Sequence, residues 1–140
     1  MALQMDRSEL NAFVEQEFPQ VKGEFTVDSV DEDQILVRLN VSEKHLRPGG
    51  TVSGPSMFSL ADVTIYFAVL SKIGPKALTV TTNCSIDFMR KPEAGRDLIA
   101  TGRLLKLGRA LAVGDVLIRS EGSEAIVARA SVTYSIPPKA

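Results

Sequence analysis

Asp62 is the residue whose position in the sequence most clearly suggests chemistry. It is the only ionisable carboxylate between Pro55 and Lys72, in a segment that is otherwise almost entirely apolar. An unpaired carboxylate is costly to remove from water, so Asp62 must be hydrogen-bonded, face a polar cavity or be protonated. Two roles fit this setting. Asp62 is either a catalytic carboxylate that acts as a general base, or a structural one that bonds across a subunit interface or caps a neighbouring segment.

Gly54 precedes Asp62 by eight residues, where a loop is expected to become a helix. Free N–H groups at a helix N-terminus stabilise a negatively charged oxygen, and glycine allows close approach because it has no Cβ. Eight residues of helix rise by roughly 12 Å, too far for both residues to hold one carbonyl group. Two antiparallel helices across a dimer axis would bring one chain's Gly54 to the other chain's Asp62. The alternative is that Gly54 and Pro55 only begin a helix.

Residue counts argue against several other kinds of site. The 140 residues include one histidine and one cysteine, too few for a usual zinc site or an internal disulfide, so no metal is expected. We expect His45 to be a loop or surface residue and Cys84 to act as a small inward-facing hydrophobe. With 16 basic and 17 acidic residues the net charge is -1, which lacks the positive patch of a protein that binds nucleic acid or an anionic membrane.

The elements that position Asp62 and Gly54 follow from hydrophobic spacing. Apolar residues at helical spacing predict a short N-terminal helix that is capped at Asp6 or Ser8 and ends at Pro19. Two strands are predicted at residues 24–29 and 34–41, joined by an acidic turn at 31–33. After a loop centred on residues 48–50, a helix should begin near Pro55, stay apolar on every side through Leu70, and end at Gly74 and Pro75.

The remainder of the chain reads as strands. Apolar and polar residues alternate over residues 78–88, which puts Cys84 on the apolar face and Thr81 on the polar one. Three more strands are predicted at 97–106, 110–119 and 124–135. We therefore expect one α+β domain over residues 1–140, an antiparallel sheet around a long central helix. No targeting segment is visible, and the apolar residues 57–70 are fewer than the ~20 that a membrane span needs, so we expect a soluble, cytoplasmic protein.

The segment RPGGTVSGPSMFSLAD, residues 47–62, resembles a known signature. This is the pattern N-x-x-G-x-x-H-G-G-x-x-x-x-L-x-D/E of hotdog-fold acyl-CoA thioesterases of the PaaI (phenylacetyl-CoA thioesterase-like) type. The resemblance extends from about residue 34 to 136 and includes the sequence FMRKP at 88–92. It implies the hotdog fold. Here Ser53 stands where the family has histidine, Pro55 replaces the second glycine and Arg47 replaces the asparagine.

The resemblance also implies roles for individual residues. Asp62 would be the catalytic carboxylate, either a general base on water or the nucleophile that attacks the thioester carbonyl. The Gly54 N–H would polarise that carbonyl, and the Thr81 hydroxyl would help to position the water. Arg47 would pair with Asp62 or hold a carboxylate or phosphate of the substrate, and basic side chains would meet the coenzyme A phosphates. The residues expected to bind substrate are Arg47, Ser53, Pro55, Tyr66, Arg90, Lys91, Lys106 and Arg109.

By this resemblance the protein is expected to be an acyl-CoA thioesterase. It would need no cofactor, because coenzyme A is part of the substrate, and it would act as a homo-oligomer, a dimer or a dimer of dimers. The missing histidine and Arg47 leave open a non-catalytic module that binds acyl-CoA or fatty acyl groups. A hotdog hydratase or dehydratase is a third reading, for which His45 is the only histidine available to pair with Asp62. The sequence does not identify the acyl group. Its pocket is expected to include Phe58, Tyr66 and Phe67 of the central helix.

Overall fold

The elements follow the predicted order in a computed structural model, which describes residues 2–138. Two helices, α1 and α2, and six strands, β1 to β6, are joined by short connections. Short 3₁₀ helices occupy Pro19–Val21 and Glu43–His45. The longer elements are α1 Arg7–Glu17, β1 Phe25–Val30, β2 Ile35–Leu39, α2 Gly54–Ile73, β3 Val80–Phe88, β4 Leu98–Leu107, β5 Leu111–Ser120 and β6 Ile126–Ser135.

The six strands form one sheet in the order β1-β2-β4-β5-β6-β3, and all neighbouring strands are antiparallel. The acidic turn between β1 and β2 is held by Asp31, whose Oδ1 accepts from the backbone N–H groups of Asp33 and Gln34. β3 pairs with β6 and not with β4, the next strand in the chain. This crossover makes β3 an edge strand, and no other strand within residues 2–138 pairs with its outer side.

Helix α2 lies on one face of the sheet, and two glycines allow its close approach. A Cβ added at Gly102 of β4 would lie 2.6 Å from Thr64 Cγ2, and one at Gly114 of β5 would lie 2.5 Å from Ile65 Cδ1. Such distances leave no room for a methyl group, so these glycines are required for packing. The predicted α+β arrangement, a sheet curved around a long apolar helix, is confirmed.

The predicted apolar stretch, residues 57–70, is shorter than the helix that forms. α2 has 20 residues and by length and composition could cross a membrane, but 67% of its apolar window is buried inside the protein, so it is a core helix. The expectation that the helix is buried on every side is wrong only for its first two turns. Phe58 is 40% exposed and Ser59 is exposed, whereas all residues from Leu60 to Ser71 except Asp62 are buried.

Helix α1 begins at the first of its two candidate caps. Asp6 accepts from the Glu9 N–H and the Glu9 side chain accepts from the Asp6 N–H, which satisfies two N–H groups at the helix start. Leu10 and Val14 are buried, and Asn11 exchanges hydrogen bonds with both the N–H and the C=O of Val27 in β1. These contacts attach α1 to the β1 side of the sheet.

Candidate active site

The Asp62 carboxylate lies in the third turn of α2 and is held by two hydroxyl groups. Thr81 Oγ1 of β3 donates to Asp62 Oδ1 at 2.5 Å, and the Tyr134 hydroxyl of β6 lies 2.9 Å from the same oxygen. Tyr134 also lies 2.9 Å from the main-chain oxygen of Asp62. Within residues 2–138, Oδ2 accepts no hydrogen bond, so one oxygen of the carboxylate is fixed and the other is unengaged.

A β-bulge in β3 turns Thr81 toward Asp62. Thr81 is opposite Tyr134 and Asn83 is opposite Thr133, which leaves Thr82 as an extra residue with no paired residue in the β3–β6 register. The extra residue reverses the alternation, so that Thr81 shares the helix side of the sheet with Cys84. The prediction that Thr81 and Cys84 lie on opposite faces is therefore wrong.

The same bulge explains an exposed apolar segment. Residues before the bulge have the opposite orientation to the one predicted, so Thr79 is buried while Val80 is 55% exposed. Leu78 just before β3 is 79% exposed, and Phe88 at its end is 51% exposed. Within residues 2–138, the edge strand and the segment just before it thus present three large apolar side chains that are at least half exposed. Cys84 packs against the core as predicted, and burial, followed by the negative charge of Asp62, raises the pKa of its thiol.

Tyr134 is the residue of this group that sequence reasoning missed. Its side chain is buried, and burial together with the neighbouring Asp62 charge raises the pKa of the phenol well above its usual range. The hydroxyl therefore stays protonated and remains a donor. In the sequence Tyr134 is one inward residue of an alternating strand, and only its pairing with Thr81 reveals the connection to Asp62.

Helix α2 begins at Gly54, close to the predicted start at Pro55. The Ser53 side chain caps it by accepting from the Ser56 N–H, and the Ser53 carbonyl accepts from the Met57 N–H. Pro55 has no N–H, and the Gly54 N–H has no acceptor in the described part of the chain. The ring of Phe88 lies over Gly54, where an added Cβ would be 3.3 Å from Phe88 Cζ. The helix N-terminus therefore offers one free backbone donor.

A cleft of about 350 Å³ opens beside Gly54 and is bordered by basic residues. Its wall includes Arg47 from the loop before α2, Arg90 and Lys91 from the segment after β3, and the apolar side chains of Met57 and Phe88. Across residues 2–138 these three cations form no ion pair, so Arg47 does not pair with Asp62. The cleft combines a free N–H with positive charge, an arrangement that attracts an anion.

Two other predicted basic residues lie elsewhere. Lys106 and Arg109 are at the β4–β5 turn, by the end of the sheet where Val80 and Ser135 pair, whereas Arg90 and Lys91 follow the opposite end of β3. Lys106 borders a smaller cleft of about 190 Å³, which it shares with the acidic turn at residues 31–33. Within one chain, these two residues are not brought to Gly54.

Tyr66 and Phe67, predicted to border the acyl pocket, are both buried. Tyr66 is one helical turn beyond Asp62, donates to the carbonyl of Ala77, and packs its ring 5.9 Å from that of Tyr134. Phe67 has no exposed surface and belongs to the core, in contrast to Phe58. Of the three aromatic residues, Phe58 is the one that is accessible.

His45 is buried, so the prediction of a loop or surface histidine is wrong. Its Nδ1 accepts from the Ser42 N–H at 2.9 Å, which leaves the proton on Nε2 facing Glu24 Oε1 at 3.0 Å. Its carbonyl accepts from the Ser53 N–H at 2.8 Å, next to the start of α2. Both ring nitrogens are therefore engaged away from Asp62, which argues against an Asp/His pair for hydration chemistry.

The Gly54 N–H and the Asp62 carboxylate do not form one site within a single chain. Both belong to α2, and eight residues of helix separate them by roughly 12 Å along its axis. In the part of the chain that the structure describes, no group of three His, Cys, Asp or Glu side chains could hold a metal ion.

Comparisons with known proteins agree on the family. The thioesterase superfamily model matches residues 49–127. The chain is 30% identical to acyl-coenzyme A thioesterase PaaI of Escherichia coli over 70% of this chain and 68% of that protein. It is 26% identical to human acyl-coenzyme A thioesterase 13 over 80% and 79% of the two chains. The crystal structure of a candidate thioesterase from Silicibacter sp. TM1040 superimposes with a TM-score of 0.92 at 62% identity, covering 99% of this chain and 96% of that one. The chain therefore belongs to the thioesterase superfamily, as a PaaI-like thioester hydrolase with the hotdog fold.

Proposed function

We propose that the protein hydrolyses acyl-CoA thioesters to a free acid and coenzyme A. The observation that carries this proposal is the Asp62 carboxylate, which two hydroxyl groups orient and which belongs to the one residue between Leu60 and Ser71 that is only partly buried. Relatives named acyl-coenzyme A thioesterases support the substrate class. In this reaction Asp62 takes a proton from water, the water oxygen adds to the thioester carbonyl, and the C–S bond then breaks. The proton held by Asp62 passes to the departing sulfur, which restores the carboxylate.

Asp62 can also act as a nucleophile, forming a mixed anhydride that water then hydrolyses. Thr81 favours the general-base route, because a hydroxyl beside the carboxylate can help to hold the attacking water. A single turnover in water enriched in oxygen-18 separates the general-base route from a nucleophilic route in which water attacks the aspartyl carbonyl of the anhydride. With a general base, the label enters only the product acid. Label in the Asp62 carboxylate, read by peptide mass spectrometry, would identify the nucleophilic route.

The complete site is proposed to form across a dimer. One chain's Gly54 N–H stabilises the oxyanion while the other chain's Asp62 acts on water, because the two residues of one chain are too far apart. The exposed edge strand β3, with Val80 and Phe88 uncovered, provides a surface for a second copy. An unpaired apolar edge of this kind is normally covered, and pairing with a second copy would cover it.

A mixed dimer tests the shared site. Asp62→Ala and Gly54→Val chains, co-expressed with different tags and purified as the heterodimer, leave one intact combination if the site spans two chains. The heterodimer should then have about half of the wild-type turnover per dimer, while each homodimer is inactive. A heterodimer as inactive as both homodimers would show that Gly54 and Asp62 act within one chain.

The basic cleft is proposed to hold the phosphates of coenzyme A. Arg47, Arg90 and Lys91 border it, and among the described residues none of the three has an ion-pair partner that would have to be displaced. Lys106 and Arg109 remain predicted contacts of coenzyme A. Because they lie at the β4–β5 turn, they would meet a substrate bound elsewhere in the oligomer than at Gly54 of their own chain. Ser53 and Pro55 would contact the substrate at the helix start, beside the Gly54 N–H.

The alternative is a non-catalytic module that binds acyl-CoA. It is favoured by Pro55, which removes an N–H from the helix start and leaves Gly54 as the free donor there. A thiol-release screen over aromatic and medium-chain acyl-CoAs, with Asp62→Asn as the control, separates the two functions. Hydrolysis that is lost in Asp62→Asn supports the enzyme. Calorimetric binding of a non-hydrolysable analogue without any turnover would support the binding module.

A further inference from the structure

The carboxylate of Asp62 needs more than a position on a helix to act as a directed base. Rotation about the Cβ–Cγ bond is soft for aspartate, so the two oxygens exchange places unless other groups hold them. A general base must keep one oxygen within hydrogen-bonding distance of the reacting water. The question is therefore which group fixes the rotation of Asp62.

The Tyr134 hydroxyl is placed to do this because it contacts Asp62 at two points. It lies 2.9 Å from Oδ1 and 2.9 Å from the main-chain oxygen of the same residue. Its single hydrogen is shared between the two acceptors, so the hydroxyl ties the side chain of Asp62 to its own backbone. Thr81 donates to Oδ1 from the neighbouring strand, and the two donors converge on one oxygen.

Tyr134 is itself rigid, which suits a group that orients another. It lies on β6, between β5 and β3, and is 4% exposed. Its ring packs against Tyr66, which is anchored in turn by its own hydrogen bond to the Ala77 carbonyl. Burial keeps the phenol protonated, so that it donates throughout the pH range in which a carboxylate base works.

We propose that Tyr134 is a positioning residue that, with Thr81, holds Oδ1 of Asp62 and so makes Oδ2 the oxygen that reacts. This inference rests on the proposed function, since it assigns the reacting atom within the same site. Tyr134 does not touch the substrate and acts only through Asp62. Its loss should therefore slow the chemical step and leave the binding of the acyl-CoA unchanged.

Tyr134→Phe tests the proposal, because it removes only the hydroxyl and keeps the ring. We expect kcat for the best acyl-CoA to fall about tenfold while KM stays within about twofold of wild type. Thr133→Val is the matched control, since it removes a hydroxyl from the adjacent residue of β6 on the other face of the sheet. It should keep the wild-type kcat. Far-ultraviolet circular dichroism and the Tm establish that both variants fold.

Thr81→Val removes the other donor to Oδ1 of Asp62, the hydroxyl contributed by β3. This variant remains informative even if Tyr134→Phe does not fold. It should also lower kcat without raising KM. In the double variant the fold decrease in kcat should be smaller than the product of the two single decreases, because either substitution alone already frees the carboxylate to rotate.

Two outcomes would overturn the proposal. One is a wild-type kcat in folded Tyr134→Phe or in Thr81→Val, and the other is a loss confined to KM. Asp62→Asn distinguishes this failure from failure of the proposed function. If Asp62→Asn is inactive and Tyr134→Phe is fully active, only the role of Tyr134 is wrong. If Asp62→Asn is itself active, the proposed function fails.

Discussion

The ring of Phe88, the last residue of β3, lies over the Cα of Gly54, the first residue of α2. A Cβ at position 54 would be 3.3 Å from Phe88 Cζ, closer than ordinary contact. This contact joins the edge strand to the start of the helix. The free N–H of Gly54 therefore lies beside an aromatic ring of β3, the strand that we propose to form the dimer interface.

Gly54→Ala should therefore lower kcat. The added methyl group forces the ring or the helix start to move, and a displaced N–H is a poorer partner for an oxyanion. We expect a loss of about tenfold or more, measured as thiol release at saturating acyl-CoA. Phe88→Leu should restore part of the activity when it is combined with Gly54→Ala, because the smaller side chain relieves the contact. If the double variant is no better than Gly54→Ala, steric displacement is not the cause.

The bulge at Thr82 offers a second test. Deleting Thr82 would join Thr81 directly to Asn83, so Thr81 would remain opposite Tyr134 and would still face Asp62. The deletion should therefore keep most of the wild-type kcat, whereas Thr81→Val should lower it. Thr82→Ala is the control, since it keeps the extra residue and should keep most of the activity. A folded deletion variant as slow as Thr81→Val would show that the bulge itself, and not only the pairing of Thr81 with Tyr134, turns Thr81 toward Asp62.

Helix boundaries and the positions of the strands along the chain were predictable from local rules, whereas the order of the strands in the sheet was not. Pro55 marked the start of α2 and Gly74 its end, and alternation located the strands to within a few residues. The bulge was not predictable, because the run of threonines before Cys84 fits either register. Only the pairing of β3 with β6, set by the whole sheet, decides which threonine faces the helix.

Tyr134 and His45 were missed for a related reason. An inward tyrosine in an alternating strand has the pattern of any core residue, and its link to Asp62 depends on two elements that are far apart in the chain. His45 follows a polar loop, and its burial comes from Glu24, a residue near β1 that sequence spacing does not connect to it. Sequence patterns predict which elements form, but contacts between elements that are distant in the chain determine the burial and the hydrogen-bond partners of these two side chains.

The basic cleft predicts a dependence on the nucleotide part of the substrate. Arg47→Gln, Arg90→Gln or Lys91→Gln should each raise KM for acyl-CoA by about threefold to tenfold, because a charge that faces the phosphates is lost. The same variants should barely change KM for the corresponding acyl-pantetheine, which lacks the nucleotide phosphates. Lys22→Gln, an exposed residue after the first 3₁₀ helix, is the control for net charge. Equal effects on both substrates would place the phosphates elsewhere.

Glu24 makes the loop before α2 sensitive to acid. Burial raises its pKa, but hydrogen bonds from His45 and Lys44 outweigh this effect, and the net result is a pKa below the usual value for glutamate. A lowered pKa means that the folded state favours the ionised form. The stabilisation is therefore present above the unfolded pKa and is lost as the pH falls through the folded one.

Glu24→Gln should accordingly be less stable than wild type near neutral pH, and the difference should shrink as the pH falls below about 4.3, the usual pKa of glutamate. The free energy of unfolding in urea, measured for both proteins at several pH values, checks this. Glu15→Gln, an exposed change on α1, is the control and should leave the pH dependence unchanged. Because the His45 carbonyl accepts from the Ser53 N–H, the loss of Glu24 should also loosen the start of α2, so kcat should fall together with stability at neutral pH. A stability difference that is the same at every pH would mean that ionisation of Glu24 does not hold this loop.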